Sequence, residues 1–153
     1  MWESIRLRVM GTGNGTMTRS YQIRLRRVEF GQSGYQYWLY SRLVGKAAEL
    51  VRVPSVRGEE VWAAARGLLL SFPADEQFSF GGGFQYEFEF DSCDRYCKFR
   101  WKDELPGEWH ALAPVLVRLE KLRSRACLHL RPVSQDWESL GDIVADGDDA
   151  LWD

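Results

Sequence analysis

Cys93, Cys97, Cys127, His110 and His129 carry the donor atoms in this chain that zinc prefers, and a close cysteine pair on a tight turn is how many zinc knuckles begin. The gap between Cys93 and Cys97 is tolerable for a knuckle. The other three donors follow no paired spacing, however, and the alternation around Cys97 turns its side chain inward. Buried or incidental thiols are the better reading, and neither a metal nor a cofactor is expected. Gly11, Gly13 and Gly15 superficially suggest a phosphate loop. They lack the Lys and Ser/Thr of a P-loop, and the next segment reads as a strand, where a phosphate site needs a helix N-terminus. A hairpin loop accounts for them, and Gly81 to Gly83 is read in the same way. His110 has no serine or cysteine elbow to serve. Asp146, Asp148 and Asp149 lack the remainder of a calcium loop. The expectation is that this chain is not an enzyme.

The arginines weigh more. Arg6, Arg8, Arg24 and Arg26 fall on the polar side of two alternating segments, beside Gln22, and would line one sheet face. Sheet-based RNA binders stack bases on aromatic rings next to such cations. Against that, the sequence pI is about 5.8 and the RNA-binding sheet signature is missing. The opposite charge sits at the other end: residues 134–153 hold seven acids and no base, with Trp137 and Trp152 among them. The patch would equally receive an acidic protein or this acidic segment. The candidate binding residues are therefore Arg6, Arg8, Arg24 and Arg26, together with Trp137, Asp142, Asp146, Asp148 and Trp152.

These residues must be positioned by a sheet. Phe84, Tyr86, Phe88 and Phe90 alternate with Gln85, Glu87, Glu89 and Asp91; past a turn at Ser92 to Arg95, Cys97, Phe99 and Trp101 alternate with Lys98, Arg100 and Lys102. Folded about that turn, Phe90 faces Cys97, Phe88 faces Phe99 and Tyr86 faces Trp101, while Glu89 faces Lys98 and Glu87 faces Arg100. A one-residue slip would lose both matches, so this register is expected, with rings inside and ions in water. Ile5, Leu7 and Val9 predict an earlier strand, broken by the glycines at 11–15. Tyr21, Ile23 and Leu25 predict another, in which the parity shifts at Arg26 and Arg27 and a bulge is expected. Gly31 to Gly34 is a turn, and Tyr35 to Tyr40, apolar on both sides, suits a strand that is central or covered on both faces. Residues 42–54 read two ways: Ala47, Ala48, Leu50 and Val51 suit a helical turn, while Leu50 to Val53 before Pro54 reads as a short strand.

Val61, Ala65, Leu68 and Phe72 share a helical face ended by Pro73, with Glu59 and Glu60 expected in the first turn. A second helix is expected to begin near Ala113, with Pro114 in its first turn. Leu128 and Leu130 suggest a last strand. At 153 residues the chain suits one α+β domain over residues 1–133, an antiparallel sheet of five to six strands with two helices on one face, followed by an acidic tail over 134–153. Leu140, Ile143 and Leu151 give that tail enough apolar character to dock.

The start of the chain alternates and has no apolar block of a signal peptide, and no run is long enough to span a membrane. Three cysteines are an odd number for a disulfide framework, so a reducing cytoplasm is expected. Aromatic residues make up 14% of the chain, enough to fill a sheet face and still supply interface anchors. The element order resembles that of the single-domain immunity and inhibitor proteins with which bacteria block toxins or proteases. That resemblance implies a cytosolic module that binds and blocks another protein. The alternatives are a nucleic-acid-binding module using the arginine face, or a component of a larger bacterial complex.

Overall fold

The computed structural model describes residues 2–13, 16–17, 20–29, 31–43, 46–68, 83–126 and 131–132. In chain order the strands are β1 (Trp2–Gly13), β2 (Thr16–Met17), β3 (Tyr21–Glu29), β4 (Tyr35–Leu43), β5 (Glu49–Val53), β6 (Gly83–Ser92), β7 (Arg95–Lys102) and β8 (Arg131–Pro132). Two α-helices, α1 (Ser55–Arg66) and α2 (Ala113–Ala126), and two 3-10 segments, Gly31–Ser33 and Gly107–Leu112, complete the described elements. All strand pairs are antiparallel, in the order β7-β6-β1-β3-β4-β5-β8, with β2 folded back on the end of β1. Among the described residues, six strands of five residues or more and two helices on one face make this an α+β fold.

The alternation of apolar residues is what builds it. Ile5, Leu7 and Val9 of β1, Ile23 and Leu25 of β3, Tyr37 and Leu39 of β4, and Phe88, Phe90, Cys97 and Phe99 of the β6–β7 hairpin form one continuous core. The helices close it with Val61, Trp62 and Ala65 of α1 and Val115, Leu119 and Leu122 of α2. Burying each large apolar side chain contributes about 1.5–3 kcal/mol. The β6–β7 register is the one its sequence dictates, with Phe90 opposite Cys97, Phe88 opposite Phe99 and Glu87 opposite Arg100. Tyr86 and Trp101 stack almost parallel, 5.3 Å apart and 5° from coplanar. Strand β4 is covered on both faces: Tyr37 and Leu39 join the main core, while Trp38 and Tyr40 form a second apolar cluster with Leu50.

In the bounds and regularity of its elements, the structure departs from the sequence expectations at four places. There is no bulge in β3: its pairing with β1 runs without interruption from Trp2 opposite Val28 to Val9 opposite Tyr21. Arg27 simply points inward, as its parity demands. Strand β1 is not broken at Gly11 but continues to Gly13. Helix α1 starts earlier, at Ser55 behind Pro54, so Glu59 and Glu60 lie past the first turn. It also ends earlier, at Gly67, whose N–H donates to Ala63 O at 3.1 Å; Phe72 and Pro73 lie outside the described residues. Helix α2 begins at Ala113 as its proline requires, after a 3-10 segment at Gly107–Leu112.

Candidate interaction surface

Alternation places Arg6, Arg8, Arg24 and Arg26 on the sheet face opposite the helices. The pairing that gives them their partners is between strands far apart in sequence. β1 lies between β3 and β6, which sets Arg6 opposite both Arg24 and Glu89, and Arg8 opposite both Gln22 and Glu87. One arginine row therefore meets the acid row of the hairpin.

Glu87 is the hub. Its Oε1 accepts a hydrogen bond from Arg6 at 2.9 Å; its Oε2 accepts one from Arg100 Nε at 2.9 Å, with Lys98 Nζ at 3.5 Å. Arg6 also donates to Glu89 Oε2 at 2.8 Å, and Tyr96 Oη donates to the same oxygen at 3.2 Å. Glu87 is only 4% exposed, so these ions are not left to water. Burial alone would raise the pKa of its carboxyl; the hydrogen bond from Arg100 and the charges of Lys98 and Arg6 outweigh it and hold the pKa below the ordinary value of 4.5. Arg24 has its pKa lowered, first by burial and then by the like charge of Arg6 across the strand pair. Arg24 and Arg26 run into the second apolar cluster, opposite Tyr40 and Trp38 respectively. The face is thus ionic around β1, β6 and β7 and aromatic on β4. Tyr96, on the β7 edge, is 59% exposed.

Under the helices lies a second polar site. Arg27 Nε donates to Glu3 Oε2 at 2.7 Å, and its other nitrogen makes a second bond to the same oxygen. The guanidinium sits 3.9 Å from the Tyr35 ring centroid and 4.3 Å from that of Trp62. Glu3 Oε1 accepts the N–H of Cys93, at the tip of the β6–β7 turn, at 3.1 Å. Burial pushes Glu3 up, but the Cys93 amide and Arg27 bring its pKa to a net lowering. Tyr37 Oη donates to Glu59 on α1. Burial, then that bond, pushes the phenol above its ordinary value.

The structure thus brings together four of the nine candidate binding residues, Arg6, Arg8, Arg24 and Arg26. The other five, Trp137, Asp142, Asp146, Asp148 and Trp152, lie outside the described residues, as do Cys127 and His129. Cys93 is exposed at the turn and Cys97 is buried in the core; among the described residues no three potential ligands gather as a metal site. Sequence reasoning missed that Glu87 and Glu89 would neutralise Arg6, because nothing local pairs residue 6 with residue 89. It also missed Arg27, although the arginine doublet at the parity break marked the spot. No helix among the described residues is long and apolar enough to cross a membrane. No protein family, curated protein or solved structure is found to match this chain.

Proposed function

We propose that this chain is a protein-binding module of the immunity or inhibitor kind, acting by occupying and blocking the surface of another protein. The observation that carries this reading is the mosaic on the outer sheet face. Arg6 is held between Glu87 and Glu89, Lys98 and Arg100 flank them, and exposed Tyr96 stands at the strand edge. Side chains fixed in this way lose little freedom on binding, and arginine and tyrosine are the types that anchor interfaces. The mixture of signs favours a protein partner. A nucleic acid would have to bring phosphates against Glu87 and Glu89 as well as against the arginines, whereas a protein can present complementary charges of both signs.

The test is capture of a partner from the native host by the wild-type chain, repeated with Tyr96→Ala and Lys98→Glu. Tyr96 is exposed and Lys98 sits at the rim of the Glu87 cluster, so both variants are expected to keep the wild-type circular dichroism spectrum, with Lys98→Glu the less stable because it sets a like charge beside Glu87. Loss of a hot-spot contact is expected to weaken binding of the captured protein by about tenfold or more. Undiminished binding by both variants would reject the outer face as the interface. Retention on heparin that is lost at moderate salt, and gel shifts abolished by Arg8→Glu, would replace the reading with nucleic-acid binding.

A further inference from the structure

On the helix side of the sheet, an open cleft of about 600 Å³ lies between the start of β4 and the outer side of α1, lined by Tyr35, Tyr37, Ser55, Val56, Glu59 and Glu60. The helical residues recur at spacings of one and four, so they share one side of α1 by its 3.6-residue period. Two of the large apolar side chains that this fold leaves exposed meet here: Val56 is 74% exposed and Tyr35 42%. Between them stand two carboxylates. Glu59 is oriented by the hydroxyl of Tyr37, and Glu60 is exposed on the next position of the helix. On the sheet side, Arg27 pairs with Glu3 and reaches the cleft through the Tyr35 ring and the Tyr37 hydroxyl, so its charge is shared with Glu3 before it meets Glu59. An aromatic ring, an aliphatic side chain and two carboxylates around one open cleft match a cation carried on an apolar stem. The protein itself shows that this ring accepts such a group, because the Arg27 guanidinium packs on Tyr35 from within.

The geometry points to a docking site for an arginine or lysine side chain presented by the protein partner. Glu59 and Glu60 take the cation, and Tyr35 and Val56 cover its stem. An anionic group would meet two like charges, and a purely apolar one would bury the carboxylates without a partner. This deepens the reading of the chain as a protein-binding module and rests on it for the source of the cation.

The experiment is an NMR titration of the full chain with N-acetyl-arginine amide, with N-acetyl-alanine amide and N-acetyl-glutamate amide as controls. The arginine probe is expected to shift the Tyr35, Val56 and Glu59 signals saturably, while the controls leave them in place. Glu60→Gln, at an exposed position, is expected to weaken the probe roughly three- to tenfold, as loss of one charged contact does. Equal shifts with the alanine amide, absence of saturation, or an unchanged response in Glu60→Gln would overturn the proposal. Cleft signals that move with protein concentration before any probe is added would assign the cleft to a second copy of this chain and overturn it too. Partner capture separates the two readings. Capture weakened by Lys98→Glu but indifferent to Glu60→Gln removes the cleft and leaves protein binding standing. Saturable probe binding with no protein captured by the wild type supports the cleft's chemistry and rejects the functional reading.

Discussion

Arg27 is 4% exposed, yet its guanidinium has a carboxylate and two rings within reach. Two ions this deep have given up water, and removing one strands the other. Arg27→Met is therefore expected to cost about 3–5 kcal/mol, measured by urea denaturation, because Glu3 keeps its charge without its partner. Adding Glu3→Met is expected to cost less than the single substitutions sum to, by about 1–3 kcal/mol. Strict additivity would mean that the two residues do not act as a pair. This residue was illegible in the sequence for a physical reason. Alternation arguments equate inward with apolar, so an inward arginine reads as a break in the pattern, and a bulge is inferred that β3 does not contain. Arg6 presents the converse case: its outward direction is legible from Ile5 and Leu7 on either side, but its partners Glu87 and Glu89 are not. Only the fold brings residues so distant along the chain together.

Elements made by local rules were the legible ones. The β6–β7 hairpin closes over a short turn, so its ring pairs and charge pairs fix each other and the register follows. The start of α2 followed from Pro114, which a first turn tolerates and a helix interior does not. The end of α1 was misplaced because the apolar period runs on past Arg66, and Pro73 was the louder stop signal than Gly67. That helix also contains a test of packing against propensity. Gly58 is buried, and a Cβ there would lie 2.2 Å from Tyr37 Cγ, on the strand beneath. Intrinsic helix preference favours alanine over glycine by about 0.5–1 kcal/mol. Overpacking a core contact costs about 1–3 kcal/mol and displaces a ring that also hydrogen-bonds Glu59. Overpacking wins, so Gly58→Ala is expected to lower the melting temperature. Gly67→Ala is the control: its Cβ would meet Ala63 O at an ordinary 3.5 Å, and its φ of −75° suits any residue. That substitution is expected to stay within about 0.5 kcal/mol of wild type.

At the scale of the molecule, β1 joins two halves of the sheet: the β3-β4-β5 meander on one side and the β6–β7 hairpin on the other. Two carboxylates stitch that joint in addition to the backbone ladders. Glu3, on β1, takes Arg27 from the meander and the Cys93 amide from the hairpin turn. Glu87, on the hairpin, takes Arg6 from β1 and Arg100 from its own neighbour. Both have pKa values held below the ordinary 4.5 in the folded protein, despite burial that acts the other way. A carboxyl with a depressed folded pKa contributes stability that is complete above its unfolded value and is lost as pH falls through the folded one. The urea midpoint is therefore expected to be level near neutrality with respect to these groups and to fall below about pH 4.5, the ordinary value of the two carboxyls. Glu87→Gln removes one of the two titrating stitches. It is expected to cost about 1–3 kcal/mol at pH 7, the worth of charged hydrogen bonds left half-made, and to make the acid limb shallower than in the wild type. An acid limb of unchanged steepness in that variant would show that other carboxyls govern acid unfolding and that Glu87 is not a titrating stitch of the joint.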